Sequence, residues 1–528
     1  MILRLGIAIA ALGLAACAPQ ATPDAAAPEA AQRPNILLII SDDVGSDVTS
    51  GMFPGIIDEL QRTYGPQGWN HPQVDRIDGH PASTPVLNGL ADSGMTFSQT
   101  WAQPFCSPTR ASLLTGLNVR EHGVATYADA LDSSHTSFVQ ALHDAGYATA
   151  VFGKWHMAGL PDPDGEDYPG MKPLQAGFDY FAGNLHAALP TFWDWELQVQ
   201  DETTGPDRWR TSPAPARSLP GVAPTTNAAV VKTAQLIDWM EEREAEEPDR
   251  PWFGWFAFNL SHATIDQDPS AMMIPEADLL DEGTRAEVEA CGGTYASQDV
   301  GECSGEATMR FMTNALDTLI GHVLRAVPEN TYVIYVGDNG TPMYGRPQLD
   351  YIDNLYITRE ARGKGTAWQG GAWVPLVIAG PGIEPGGRSR ALSHVADLFP
   401  TILQLAGLSV PDRVSGGAAG GNIPLAGRSL GPVLFDGARH VREPETGVVL
   451  TESVNLMTGG TRVVGVRNDR YKLVCADRVE DCLYFDLAAD PLEQYPLEQH
   501  TACTVEDADG VDRNYCLLRQ ALAEHSIL

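Results

Sequence analysis

Residues 34–41, Pro-Asn-Ile-Leu-Leu-Ile-Ile-Ser, form an apolar run with no polar alternation. A run this short and this continuously apolar predicts a strand buried on both faces, as in a parallel sheet. Similar runs recur at 148–152, 252–260, 331–336 and 374–379. Between them, apolar positions return at helical spacing over 137–145, 228–247 and 309–326. Strands alternating with helices predict an α/β fold with helices on both faces of the sheet. Four of the five runs lead straight into polar or ionisable residues: Asp42-Asp43, Gly153-Lys154-Trp155-His156, Ser261-His262 and Gly337-Asp338-Asn339-Gly340. Ligands of such sheets bind beyond the carboxyl ends of the strands. Asp42, Asp43, His156, His262, Asp338 and Asn339 are therefore expected to converge there.

Residues 33–410 read as one large domain. From 411 to 444 the chain is rich in Gly, Pro and Ala, which predicts a linker or a long surface loop. Beyond it lie short strand-like stretches at 447–451, 462–467, 471–475 and 483–485, then a helix near 515–525. Residues 445–528 thus read as a smaller C-terminal α+β domain with a short antiparallel sheet.

Composition narrows the function. The 528 residues are 43% hydrophobic, enough for a substantial core. Acidic residues outnumber basic ones 68 to 34, for a formal net charge of −34. Such a surface repels nucleic acid, which is excluded as a partner. It also repels sulfated or phosphorylated substrates at long range. An anion site must then rely on locally gathered cations or a metal.

The N-terminus carries Arg4 and an apolar run over 5–14, too short to span a bilayer as a helix. Leu14-Ala15-Ala16-Cys17 resembles the lipobox of bacterial lipoproteins. The likeness implies a signal peptide over 1–17, lipidation of Cys17 and an Ala/Pro-rich tether over 18–32. The expected location is that of an exported lipoprotein, in the periplasm or at the cell surface, held to the outer membrane by its lipid. An ordinary signal peptide cut near Ala16 is the alternative. Export permits disulfides. Of eight cysteines, setting aside Cys17 and Cys106 leaves six, falling into neighbouring pairs: Cys291 with Cys303, Cys475 with Cys482, and Cys503 with Cys516. Six cysteines leave the connectivity open, with local pairing the simplest arrangement.

The sharpest motif is Cys106-Ser107-Pro108-Thr109-Arg110 with Leu114-Thr115-Gly116. It resembles the sulfatase signature, Cys-x-Pro-x-Arg followed by Leu-Thr-Gly. In that family a maturation enzyme oxidises the cysteine to formylglycine, an aldehyde. Phe105 departs from the smaller residue usual before the cysteine. The likeness runs from about Arg33 to Leu497. It takes in Asp42-Asp43, the Gly153-Lys154-Trp155-His156 block, Ser261-His262, Gly337-Asp338-Asn339-Gly340, and Arg362-Gly363-Lys364 with Gly370-Gly371. Gln369 stands where Glu is frequent, and Ser261 where Pro is frequent. The resemblance implies an alkaline-phosphatase-like fold, a large mixed, mostly parallel sheet sandwiched by helices, and hydrolysis of sulfated glycans or aryl sulfates.

Residue chemistry points the same way. Asp42, Asp43, Asp338 and Asn339 are all-oxygen ligands, which select one hard divalent cation, Ca²⁺ ahead of Mg²⁺. The modified Cys106 would join them as a ligand. Arg110, Lys154, His156, His262 and Lys364 supply a local anion pocket. The resemblance implies that a hydrated aldehyde attacks sulfur with one hydroxyl and expels sulfate through the other. It assigns His122 as the base of the second step, and Lys364 and His262 as leaving-group contacts. His262 would be the better acid, because histidine titrates near neutrality. Arg110 would orient the modified residue. The nearest rival is a phosphodiesterase or phosphonate monoester hydrolase using the same aldehyde. A glycan-binding lipoprotein with a dead site is disfavoured by the complete residue set. Trp193, Trp195 and Trp209 could equally stack on sugar rings or pack in the core.

Overall fold

The computed structural model describes residues 33–53, 62, 81–162, 167–187, 189–263, 272–342, 362–417, 420–456, 459–498, 503 and 510–527. Cys17 and the signal and tether segments, 1–17 and 18–32, lie outside the described residues. Every residue of the Asn35–Ser41 strand is buried, which accounts for its unbroken apolar sequence. It pairs in parallel with Thr331–Gly337 on one side and Trp252–Ala257 on the other. These strands are central to a ten-stranded sheet. Its order is Gly387–Ser389, Met95–Phe97, Leu376–Ala379, Thr331–Gly337, Asn35–Ser41, Trp252–Ala257, Ala148–Lys154, Tyr180–Asn184, Glu196–Gln200 and Arg210–Pro213. Leu376–Ala379 runs antiparallel to both neighbours, as do the pairings at the far edge, so the sheet is mixed and mostly parallel.

Successive side chains of the first strand point to opposite faces. Leu37 and Ile39 pack with residues of the Ala228–Glu246 and Gly305–Ala326 helices. Ile36, Leu38 and Ile40 pack with residues of Cys106–Thr115, Phe138–Asp144 and Leu398–Leu405. Side-chain caps fix where the helices begin. Ser304 accepts from Ala307 N and Asn227 from Ala229 N. Asp317, from inside the Gly305–Ala326 helix, accepts from the Val86 and Leu87 N–H groups (3.0 and 2.8 Å). It thereby caps the Pro85–Ser93 helix from outside the local sequence.

Residues 411–444 pack as a long loop. They hold the Arg413–Ser415/Asn422–Pro424 strand pair and the Gly431–Phe435 helix, and bury Val414, Leu425, Leu430 and Leu434 in the main core. Val449–Asn455, Thr461–Arg467, Tyr471–Ala476 and Arg478–Asp486 form the predicted antiparallel sheet, closed by the Gly510–His525 helix. This sheet docks on the segment that leads into Cys106: Thr451 Oγ1 donates to Ala102 O (2.6 Å), and Glu452 N to Gln103 Oε1 (2.7 Å).

The disulfides are Cys291–Cys303, Cys475–Cys482 and Cys503–Cys516, the local pairing. Cys106 is free and buried. Trp195 is a core residue whose indole N–H donates to Thr226 O (2.8 Å). Trp193 packs against the same core, and Trp209 meets Tyr168 edge-on at 5.4 Å. Trp195 is thus a packing residue, and Trp193 and Trp209 are half-buried against the core. Among the described residues, no helix is long and apolar enough to cross a membrane.

Candidate active site

Asp42 and Asp43 follow one central strand, and Asp338 and Asn339 follow its neighbour. The register sets Ser41 opposite Gly337, so the two pairs face each other. All four side chains are fully buried. The Asp43 backbone N–H donates to Asp338 Oδ1 (3.2 Å), and Asn339 Nδ2 donates to Asp43 Oδ1 (2.8 Å). Asp43 holds a left-handed backbone, φ 63°, a strain of the kind that persists where surrounding structure over-determines a functional residue. At Gly340 an added Cβ would lie 1.8 Å from the Gly370 carbonyl oxygen. The Asp338-Asn339-Gly340 turn and the Gly370-Gly371 segment therefore meet backbone to backbone.

Cys106 opens the Cys106–Thr115 helix, every residue of which is buried. The positive end of the helix dipole thus lies at the thiol. The ligand atoms of Asp42, Cys106 and Asp338 all lie within 4.8 Å of one another. Burial pushes the Cys106 thiol up, against the pull of Lys154 and Lys364, so the unmodified side chain is a poor nucleophile at neutral pH. One turn on, Arg110 donates to Asp338 Oδ2 through Nη2 (2.8 Å) and to Lys154 O through Nη1 (2.6 Å). It ties the Cys106–Thr115 helix to two strand ends.

Lys154 Nζ lies 2.7 Å from Asp42 Oδ2, and Lys364 Nζ 2.5 Å from Asp43 Oδ1. Burial opposes ionisation of Asp43, but Lys364, His262, Lys154 and Asn339 hold its carboxyl well below the usual range. Burial, with Asp42 alongside, pushes Asp338 up to about 6 despite Arg110 and Lys154. Three carboxyl groups (Asp42, Asp43, Asp338) face three basic side chains (Arg110, Lys154, Lys364), so acids and bases in the cluster are matched in number. Asp42 Oδ1 and Asn339 Oδ1 are buried with no hydrogen-bond partner. Leaving such oxygens unsatisfied is costly, and a hard cation is the ligand they fit.

The histidines separate into distinct roles. His156 has a left-handed backbone, φ 59°, and receives on its carbonyl (2.7 Å) the hydroxyl of Ser107, next to Cys106 in sequence. Its Nε2 lies 2.9 Å from Tyr127 O, a contact that requires the proton on Nε2. Its Nδ1 is buried without a partner. Burial, then Lys154 and Arg110, hold the ring well below its ordinary pKa. His156 therefore presents an unused lone pair.

His122 does not. Its Nδ1 accepts from Val124 N (3.1 Å), and its Nε2 meets Ser112 Oγ at 3.0 Å. Both ring nitrogens are committed, and Ser112 lies roughly 9 Å along the helix from Cys106. The structure thus places His122 against Ser112 and Val124, with neither ring nitrogen left over. His262 differs from expectation. Burial and Lys364 push it down to about 3, so it is neutral at pH 7 rather than titrating there. Its Nδ1 faces Ala263 O at 2.5 Å, and its Nε2 lies 3.9 Å from Asp43 Oδ2.

Sequence reasoning missed the supporting residues. The buried Lys232 donates to Asn184 Oδ1 (2.6 Å) and to Asn259 Oδ1, and lies 4.6 Å over the Trp195 ring. His186 stands with its ring 6.2 Å from that of His156. Asn184 ends the five-residue strand Tyr180–Asn184. That apolar-to-polar step was the available signal.

The Sulfatase family model matches residues 34–408. The N-acetylgalactosamine-6-sulfatase of Mus musculus is 26% identical over 544 residues, covering 94% of this chain and 86% of that protein. Its Canis lupus familiaris counterpart is 28% identical over 448 residues, covering 78% and 68%. Among solved structures, Ps i-CgsB in complex with k-i-k-neocarrahexaose superposes with a TM-score of 0.59 at 20% identity, covering 88% of this chain and 89% of that one. The phosphonate monoester hydrolase of Agrobacterium radiobacter does so with a TM-score of 0.55 at 22% identity, covering 93% and 94%. At these identities the structural likeness concerns the fold.

Proposed function

The chain belongs to the sulfatase family of sulfuric ester hydrolases, and we propose that it works through a formylglycine made from Cys106 and one divalent cation. The observation that carries this reading is the pair of unpartnered buried oxygens, Asp42 Oδ1 and Asn339 Oδ1, in the cluster that Cys106 joins. Asp42, Asp43, Asp338 and Asn339 would hold the cation, and the modified Cys106 would complete the set. Ca²⁺ fits this donor set better than Mg²⁺, which keeps several waters and avoids all-protein cages. When bound, the cation would add positive charge to a cluster of matched acids and bases and neutralise sulfate oxygens. The formylglycine would supply a geminal pair of hydroxyls as nucleophile.

The chain's own residues do the rest. Arg110 holds Asp338 and Lys154 holds Asp42, and the unpartnered Asp42 Oδ1 would be left for the cation. Lys364, anchored on Asp43, places a fixed ammonium for the sulfate ester. His156 takes a proton on Nδ1 beside residue 106, the role the unused lone pair suits. His262 contacts the leaving oxygen through Nε2, and protonation there requires the negative charge of a bound ester.

Sulfated carbohydrate is the favoured substrate class. The similar structures include ones solved with k-i-k-neocarrahexaose and with D-glucosamine-2-N,6-O-disulfate as substrate. Three disulfides suit the exported location, with Cys17 as the lipid anchor and an outer-membrane address. The test is the mass of the tryptic peptide 77–110 from protein made with a formylglycine-generating enzyme. Conversion lowers it by about 18 Da. An unmodified thiol under those conditions removes the nucleophile and the reading with it. Turnover of an aryl sulfate, a phosphate monoester and a phosphate diester then separates sulfatase from phosphonate hydrolase chemistry.

A further inference from the structure

A cleft of about 990 Å³ opens between the sheet edge at Met95–Phe97 and Gly387–Ser389 and the C-terminal sheet. Its charged lining inverts the protein's composition. Four arginines, Arg388, Arg390, Arg439 and Arg467, and His440 line it, against one acid, Asp469. A patch drawn at random from this chain would hold two acids for each base, since acids number 68 and bases 34.

The cations are built in from below. Arg467 is 3% exposed and spends its guanidinium on neutral oxygens only: Asn468 O, Gln99 Oε1 and Asp469 O, at 2.9–3.0 Å. Its charge is therefore not cancelled by a direct carboxylate contact. Arg388 is bonded to the Met52 carbonyl (3.0 Å), with Asp92 at 3.8 Å and largely in water, where a carboxylate neutralises little. Arg439 is exposed at the rim.

Two buried polar side chains also form part of its wall. Gln369, 7% exposed, and Thr96, 2% exposed, both line the cleft, and each has a buried side-chain oxygen with no partner. An amide and a hydroxyl beside arginines suit a polyhydroxylated anion better than a bare ion. Two of its lining residues lie near site residues in sequence, Gln99 seven residues before Cys106 and Gln369 five after Lys364.

We propose that this cleft is a second anion subsite, holding sulfate or carboxylate groups on sugar units remote from the bond that is cut. This rests on the sulfatase reading for its substrate class. It gives a strongly acidic enzyme a local attraction for a polyanionic chain.

The test compares Arg388→Glu, Arg439→Glu and their double variant with Arg413→Glu, an equal charge change on a strand away from the cleft. Binding of a sulfated hexasaccharide is measured by calorimetry at several salt concentrations, beside turnover of 4-nitrophenyl sulfate. Each cleft substitution is expected to weaken hexasaccharide binding about fivefold, more at low salt than at high. Arg413→Glu is expected to leave it within about twofold. Equal losses in all variants, no loss in the cleft variants, or no hexasaccharide binding by the unaltered enzyme each overturn the subsite. So does a cleft variant that changes oligomeric state instead of affinity. If the matured enzyme turns over no sulfate ester, the sulfatase reading fails, and the binding comparison still decides the cleft.

Discussion

Lys154 and Asp42 form an ion pair, Nζ to Oδ2 at 2.7 Å, in which neither side chain reaches water and Asp42 Oδ1 has no partner. The pair neutralises one carboxylate oxygen and leaves the other for a cation. Replacing Lys154 with Ala is expected to cost about 3–5 kcal/mol of stability, because the buried carboxylate loses its counter-charge. Added Ca²⁺ should return part of that loss. In the unaltered protein, Ca²⁺ at a hundredfold excess over Kd should stabilise by about 2.7 kcal/mol. Thermal melts read both, with Mg²⁺ giving the smaller shift. Asn339→Ala should abolish the shift. A melting temperature indifferent to both ions defeats the cation assignment.

His156 and His122 can be separated by kinetics. With its Nδ1 lone pair unused beside Ser107, His156 is the residue placed to take a proton next to position 106. His156→Ala should release about one equivalent of alcohol per matured enzyme and then stall, a burst without turnover. His122→Ala should instead lower stability by about 1–3 kcal/mol, since it strands Ser112 and the Val124 N–H. Its turnover per folded molecule should stay near that of the unaltered enzyme. The reverse pattern makes His122 the base.

The central strands and the site they carry were legible because burial on both faces writes an unmistakable run, and because each run stopped at a polar residue. The disulfides followed from short separations. The outer strands were not legible. Met95–Phe97 and Gly387–Ser389 have three residues each, too few to establish a period. Residues 411–444 read as a linker or long surface loop because the anchors are scattered: Val414, Leu425 and Leu430 show no spacing, and the charge partner Asp397 lies in another segment. The hydrogen bonding of the histidines was not legible for a further reason. Which nitrogen is free depends on Val124, Ser112, Tyr127 and Ala263, none of which a motif records.

His262 should reveal itself through the leaving group. Neutral in the free site, it gains its proton only opposite a bound anion, so its help matters most when the departing alcohol is a weak acid. His262→Ala is expected to lower kcat/KM on alkyl or sugar sulfates by about 10²–10⁴ and on 4-nitrophenyl sulfate by much less. The slope of log kcat/KM against leaving-group pKa should steepen accordingly. A uniform loss across the series removes the acid role.

A pH-dependent weakness lies away from the chemistry, at Glu452. The side chain is fully buried, with Oε2 accepting from Ile527 N (2.9 Å) and Oε1 unpartnered. Burial pushes its pKa up from 4.5 to about 8, and Glu121, also pushed up by burial and also holding an unpartnered oxygen, adds to the effect. Between those two pH values the folded protein keeps a proton that the unfolded chain has lost. Stability therefore falls as pH rises from about 4.5 to about 8, by an amount on the order of a few kcal/mol. Glu452→Gln mimics the protonated acid at every pH and still accepts from Ile527. It should match the unaltered protein near pH 5 and melt at a higher temperature at pH 8.5. Thermal melts across that range check it. An unchanged pH slope in the Gln variant would mean that Glu452 ionises in the fold without cost.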